Sequence, residues 1–249
     1  MITRTALITS GVVLAVACVL VPLQPASAGT VVFSDATFND ADWSVEVFQL
    51  DGNGGTFTAQ QIGSGGVPGS YREIGLTMNE GTVVSGIAVF SRCRNATYYP
   101  AVYGPILEIA YHEDTICLLQ NNGGCGQRGG IALKQNGHIF VNGPYITPGF
   151  SWTAFDLSGQ TVSAFHWLND DPQSGGRHPD FSANAAPIEF GFFRGNWNAP
   201  GEVSYSTLTG TDNWTVTITT LLPTAVRVGT WGQVKARYGD TEPVLNKEE

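Results

Sequence analysis

From Phe33 to Thr219 the chain reads as short apolar runs rich in Val, Ile, Thr, Phe, Tyr and Trp, broken about every ten residues by clusters of Gly, Pro, Asn and Asp. Apolar runs of strand length between turn residues are the pattern of an all-β protein. In Trp214-Thr215-Val216-Thr217-Ile218-Thr219 apolar and hydroxyl side chains alternate strictly, which predicts a strand with one face on a core and the other in water. Val83-Val84-Ser85-Gly86-Ile87-Ala88-Val89-Phe90 carries apolar groups at both parities, which predicts a central strand covered on both sides. Further strands are expected over residues 56–62, 71–78, 106–112, 115–120, 130–134, 138–141, 152–157, 161–168, 188–194 and 203–208. No stretch before Pro223 sustains a helical period. Beyond it, Thr230 as a cap with Trp231, Val234 and Tyr238 spaced by three and four predicts one short helix, then a charged tail.

About a dozen short strands in one domain curl or split rather than lie in one open sheet. Two packed antiparallel sheets follow, a jelly-roll-type β-sandwich. Repeats of fixed period are absent from the sequence, which argues against a propeller. The expected layout is a leader over residues 1–28, a sandwich over 29–222 and a tail over 223–249. The loop 169–186, polar and rich in Gly, Pro and Asp, is expected to lie over one end or face.

Composition narrows the function classes. Hydrophobic residues make up 42% and charged ones 13%, too apolar for disorder and too sparsely charged for a coiled coil. With Lys+Arg 12 against Asp+Glu 21 the net charge is -9, and no basic patch for phosphates exists, so nucleic acid is not an expected partner.

Arg4, the uncharged apolar run from Ala6 to Leu23 and the small-x-small site Ala26-Ser27-Ala28 predict a signal peptide cleaved after Ala28. Pro22 and the Ala-Ser-Ala box argue against a retained anchor, and Ala15 argues against lipidation at Cys18. The expected location is extracellular, cell-surface or periplasmic, with no membrane span in the mature chain. Removing 28 of 249 residues leaves 221 and, with Arg4 lost, a net charge of -10. Anionic polymers are then poorer ligands than neutral ones unless calcium bridges them. Of four cysteines, Cys18 leaves with the leader. Cys117 and Cys125 flank the turn-forming Leu-Leu-Gln-Asn-Asn-Gly-Gly segment and are expected to pair in an oxidising compartment, leaving Cys93 free. Zinc is the rival use, but neither a Cys-x-x-Cys nor a His-x-x-x-His spacing occurs in the sequence.

Three motifs together resemble a group of secreted bacterial β-sandwich proteins: Gly65-Gly66-Val67-Pro68-Gly69-Ser70-Tyr71-Arg72, Pro179-Asp180-Phe181-Ser182-Ala183 ahead of Ile188-Glu189-Phe190-Gly191-Phe192, and Gly210-Thr211-Asp212-Asn213-Trp214-Thr215-Val216. The Gly-Gly-x-Pro-Gly-x-Tyr turn is similar to laminin-type sandwich domains. The closing Asp-Asn-aromatic-x-Val strand is similar to jelly-roll carbohydrate-binding modules, a resemblance that implies glycan binding. Residues 230–238 resemble a C-terminal motif of some exported bacterial proteins.

Sugar recognition needs flat apolar faces for the C–H side of a pyranose, with polar groups close by for its hydroxyls. Tyr98 and Tyr99 with Tyr103, Trp167 beside Asn169, Asp170 and Asp171, and Trp197 between Asn196 and Asn198 are the candidates; the alternative for each is core or edge packing. Asp35 near the first strand and Asp212 at the start of the last are candidate ligands for a structural calcium ion, the alternative being turn capping. For hydrolysis, Glu108 shares a strand face with His112, and Glu189 one with Phe193, so paired carboxylates from neighbouring strands are conceivable. Neither a serine nucleophile elbow, a zincin helix nor a phosphate loop is present in the sequence. The leading expectation is a secreted, non-catalytic domain that binds glycan or another extracellular or envelope polymer. The alternatives are a structural or adhesive surface protein with protein partners, and a glycan-active hydrolase using Glu108 and Glu189.

Overall fold

Alternation in the last strand sets the architecture, since Trp214, Val216 and Ile218 are fully buried while Thr215, Thr217 and Thr219 face outward. The computed structural model describes residues 28–50, 55–121, 127–143, 145–146, 148–168 and 177–221. The predicted leader, save Ala28, and the predicted tail lie outside the described residues. Strands in chain order are β1 (Ala28–Asp35), β2 (Trp43–Leu50), β3 (Thr56–Gly66), β4 (Gly69–Met78), β5 (Ser85–Tyr98), β6 (Ile106–Asn121) and β7 (Gln127–Gln135). They continue with β8 (His138–Asn142), β9 (Tyr145–Ile146), β10 (Thr153–Gln160), β11 (His166–Trp167), β12 (Ile188–Asn198) and β13 (Tyr205–Leu221). Helix is confined, among the described residues, to single turns at Asp40–Asp42, Pro100–Tyr103 and Val162–Ala164.

The strands form two antiparallel sheets, an all-β jelly-roll-type sandwich. The first runs β10-β6-β13-β4-β3 with β1 also on β13; the second runs β11-β8-β7-β12-β5-β2 with β9 on β7. The first half of β13 pairs with β4 and the second half with β1, while β6 lines its other side. The changeover falls at Asp212-Asn213, where the register on β6 shifts and Asn213 takes a positive φ of 50°, as Asn tolerates better than most residues. Between the sheets Trp43 meets Trp214 edge-on at 5.2 Å and Phe192 at 5.5 Å, amid Ile109, Ile131, Leu133 and Phe190. Each such side chain contributes about 1.5–3 kcal/mol through burial.

Toward the other end the inter-sheet space turns polar. Thr207, Thr209 and Thr211 of β13, Glu113 and Thr115 of β6, Arg194 and Asn196 of β12 and Gln127 of β7 are all buried. Arg194 donates to Glu113 Oε2 at 2.8 Å, to Thr211 Oγ1 at 2.8 Å and to the Phe193 carbonyl at 2.9 Å. Tyr111 donates to the same carboxylate oxygen at 2.8 Å, and its burial pushes the phenol well above its usual range.

Several expected elements differ. Residues 106–112 and 115–120 belong to one strand, β6, and the expected strands over 203–208, from Tyr205 on, and 214–219 to another, β13. The polar breaks at Asp114 and Asp212 sit opposite each other in the ladder and are absorbed as a bulge rather than turned into loops. Residues 161–168 yield a helical turn and the two-residue β11; β2 and β9 are additional to the expected strands, and β1 is the first strand expected near Asp35. By contrast, Asn136-Gly137, both at positive φ, form the tight turn between β7 and β8. Cys93 is free and buried, and burial raises its thiol pKa. Cys117 is buried on β6, and the expected pairing depends on Cys125, which lies outside the described residues.

Candidate functional site

The face of the second sheet turned away from the core is built on β12. Its inward positions are Phe190, Phe192, Arg194 and Asn196, so the outward ones are Gly191, Phe193, Gly195 and Trp197. Across β5 the register sets Gly86 opposite Trp197, Ala88 opposite Gly195 and Phe90 opposite Phe193. Phe48 of β2 stands beside Ala88, and Arg128 of β7 beside Gly195. Small residues on adjacent strands leave a trough. A groove of about 210 Å³ results, lined by Phe48, Val84, Arg128, Leu168, Phe193 and Trp197 over Gly86, Ala88 and Gly195. A Cβ at Gly195 would lie 3.4 Å from the Ala88 Cβ and 3.3 Å from the Ile87 carbonyl oxygen, so its absence keeps the floor low.

Next to the groove the same face is closed over. Phe90 and Phe193 point outward yet are buried, with Ala132, Val141, Ile139 and Leu168 packed on them. Two ion pairs flank this patch: Arg92 with Glu189, and Lys134 with Glu46 at 2.7 Å. Lys134 is on β7 and Glu46 on β2, with β12 and β5 between, so this pair spans the outer face of the sheet. This covering explains why β5 reads as apolar on both faces.

Trp197 is 52% exposed at the groove wall. The asparagines beside it turn inward: Asn196 donates to Thr207 Oγ1 at 3.3 Å, and Asn198 donates to the carbonyls of Asn79, Glu202 and Val203. These hydrogen bonds anchor the end of the strand. The other predicted aromatics lie elsewhere. Tyr98 is 0% exposed, its hydroxyl bonded to the Gly104 carbonyl and Thr220 Oγ1, so it belongs to the core. Tyr99 and Tyr103 are exposed, Tyr103 with its ring 5.4 Å from that of Tyr98. They sit at the opposite end of the β5–β12 pair from Trp197, roughly 30 Å away by strand rise. Trp167 packs at the core edge on β11, with His138 at 5.0 Å and the Arg177 guanidinium over its ring at 4.5 Å. The three groups do not form one patch. Asn169, Asp170 and Asp171 lie outside the described residues.

The carboxylates are likewise engaged. Asp35 accepts four hydrogen bonds, from Thr37 N and Oγ1, Phe38 N and Trp43 Nε1. Burial alone would raise its pKa, but these donors outweigh it and hold the group below its usual value. Asp212 accepts from the Val67 and Asn213 backbone N–H groups, yet burial, with Asp114 and Asp35 nearby, leaves its pKa raised. Both act as turn anchors, Asp212 tying β13 to the 66–69 turn. Among the described residues no group of three or more His, Cys, Asp or Glu side chains is placed to hold a metal ion. Glu108 projects from β6 of the first sheet and Glu189 from β12 of the second, both away from the core. They lie on opposite sides of the sandwich and cannot flank one glycosidic bond, which needs carboxyls within about 5–9.5 Å.

Sequence reading missed Arg128, Phe48 and the small-residue floor. The signal was present in Gly191-Phe192-Phe193-Arg194-Gly195-Asn196-Trp197, whose alternate positions read Gly, Phe, Gly, Trp on one side. It is obscured because the other side carries a buried arginine and asparagine, which look outward-facing by residue type.

No family model matches the chain, and no curated protein matches it. Among solved structures it is similar to a family 11 carbohydrate-binding module from Clostridium thermocellum in complex with a β-1,3-1,4-mixed-linked tetrasaccharide. The identity is 16%, covering 80% of this chain and 99% of that one, with a TM-score of 0.44. It is also similar to the cellulose-induced protein Cip1, at 10% identity over 74% of this chain and 96% of that one, with a TM-score of 0.40.

Proposed function

We propose that this chain is an exported glycan-binding sandwich that holds a polysaccharide in the groove of the second sheet and does not cleave it. One observation carries the reading: a half-exposed tryptophan, Trp197, walls a groove whose floor is Gly86, Ala88 and Gly195. An indole beside a low floor offers a pyranose the flat apolar surface that its C–H face stacks on. At about 210 Å³ the groove is smaller than the ~300–1,000 Å³ pockets that enclose drug-sized ligands, in keeping with a site that seats part of a longer chain. The separation of Glu108 from Glu189 supports binding over hydrolysis.

Isothermal titration of the purified protein against soluble neutral and acidic polysaccharides tests this. Trp197→Ala is expected to weaken binding by about 2 kcal/mol, roughly 30-fold, as removal of a central aromatic anchor does. Its melting temperature should stay close to that of the parent, because the side chain is exposed. Equal affinity of parent and variant would remove Trp197 and the groove from the reading.

A further inference from the structure

We infer that the groove selects glycans bearing carboxylates, uronate sugars, with Arg128 as the group that reads the charge; this rests on the glycan-binding reading above. Arg128 lines the groove and is half-buried, yet among the described residues its guanidinium takes part in no hydrogen bond or ion pair. The other described cations are accounted for. Arg72, Arg92, Lys134 and Arg194 are each held by a carboxylate, Arg177 lies over Trp167, and Arg94 is in water. In a chain where Asp and Glu number 21 against 12 Lys and Arg, a half-buried guanidinium without a carboxylate is the exception among the described residues. Glu46 and Glu189, the acids on neighbouring strands of that face, are taken by Lys134 and Arg92. The groove therefore carries a local positive charge within a protein of net charge -9.

Position fits the chemistry. Arg128 is opposite Gly195 in the ladder, and Trp197 is two residues further along the same face, so the two are diagonal neighbours, about 7–8 Å apart. A hexuronate carries its carboxylate at the ring edge. A ring seated flat against the indole brings that carboxylate to the flank, where the planar guanidinium can donate two parallel hydrogen bonds. The floor contributes no competing acceptor side chain, being Gly86, Ala88 and Gly195. The overall negative charge weakens the approach of acidic polymers at long range, but that field is screened within about 10 Å at 0.1 M salt, so the contact at Arg128 decides.

The test pairs polygalacturonate with its fully methyl-esterified form, which keeps the sugar ring and removes the charge, and adds neutral xylan and mixed-linkage glucan. Parent, Arg128→Gln, Arg128→Lys and, as a surface control, Arg94→Gln are titrated, each with its melting temperature recorded. The parent is expected to bind the acid form at least about tenfold more tightly than the ester. Arg128→Gln should bring the acid's affinity down to that of the ester, Arg128→Lys should restore part of the difference, and Arg94→Gln should change nothing. If acid and ester bind the parent equally, or Arg128→Gln preserves the preference, the uronate inference is overturned while glycan binding stands. If the parent binds no polysaccharide of the set, the glycan-binding reading itself falls.

Discussion

Glu113→Ala is expected to destabilise the protein by about 3–5 kcal/mol, because it leaves the Arg194 guanidinium charged and enclosed. Both side chains are 0% exposed, and each oxygen or nitrogen that pairs them is withdrawn from water. After the substitution Arg194 keeps the face of the Phe192 ring and, as hydrogen-bond acceptors, the Thr211 hydroxyl and the Phe193 carbonyl, all neutral partners for a full charge. Tyr111 loses its acceptor as well, stranding a buried hydroxyl worth a further ~1–3 kcal/mol if it finds no other partner. For a domain of this size each kcal/mol moves the midpoint by about 2–4 °C, so the melting temperature should fall by roughly 6–20 °C. The double variant Glu113→Leu with Arg194→Met removes both charges at similar volume and should lose less than either single substitution. Urea unfolding followed by the fluorescence of the buried Trp43 and Trp214 measures Glu113→Ala, the double variant and its component singles Glu113→Leu and Arg194→Met. A single-variant loss under about 1 kcal/mol, or a double-variant loss equal to the sum of the singles, would refute the uncompensated-charge reasoning.

Asp35→Ala should cost about 1–3 kcal/mol at neutral pH, since Trp43 Nε1 is left buried without its acceptor. Because the folded pKa of Asp35 is depressed, its contribution is complete above the ordinary value of 3.8 and is lost as pH falls through the lower folded value; parent and variant curves should begin to approach each other as pH falls below 3.8. Asp212 has the opposite sign: its raised folded pKa means that stability falls as pH rises from 3.8 through that higher value, and Asp212→Asn should abolish this segment of the pH profile. Gly191→Ala should be poorly tolerated, measured as soluble yield and melting temperature, because its Cβ would sit 2.0 Å from the Ser91 carbonyl oxygen. Chelator-treated and calcium-supplemented protein should melt together, since a cation at Asp35 and Asp212 would have to displace six hydrogen-bond donors; a calcium-dependent rise in midpoint would show that it does.

Period-two alternation carried most of the fold. Trp214, Val216 and Ile218 could be assigned to the core because a strand has only two faces and water takes one of them. The doubly apolar run at β5 correctly announced covering on both sides, and the expected runs at 130–134 and 138–141 are the two strands that the Asn136-Gly137 turn joins. Strand lengths were not legible at Asp114 and Asp212, because local residue type cannot distinguish a turn from a bulge whose polar groups find partners across the ladder.

The sequence by itself determined that the chain is all-β, that it packs as two sheets, and that its acidic side chains outnumber its basic ones, 21 to 12. Which aromatics are available to a ligand was decided only by tertiary structure. Tyr98 and Trp197 occupy the two ends of one strand pair and are equally aromatic, yet one is sealed between sheets and the other opens onto a groove. That difference arises from the neighbours brought by register, Thr220 over one and Gly86 beside the other, which lie more than a hundred residues away in sequence. The same holds for Arg128: its residue type says charge, but only the pairing of Lys134 with Glu46 and of Arg92 with Glu189 leaves it the one half-buried guanidinium in the groove without a counter-ion among the described residues.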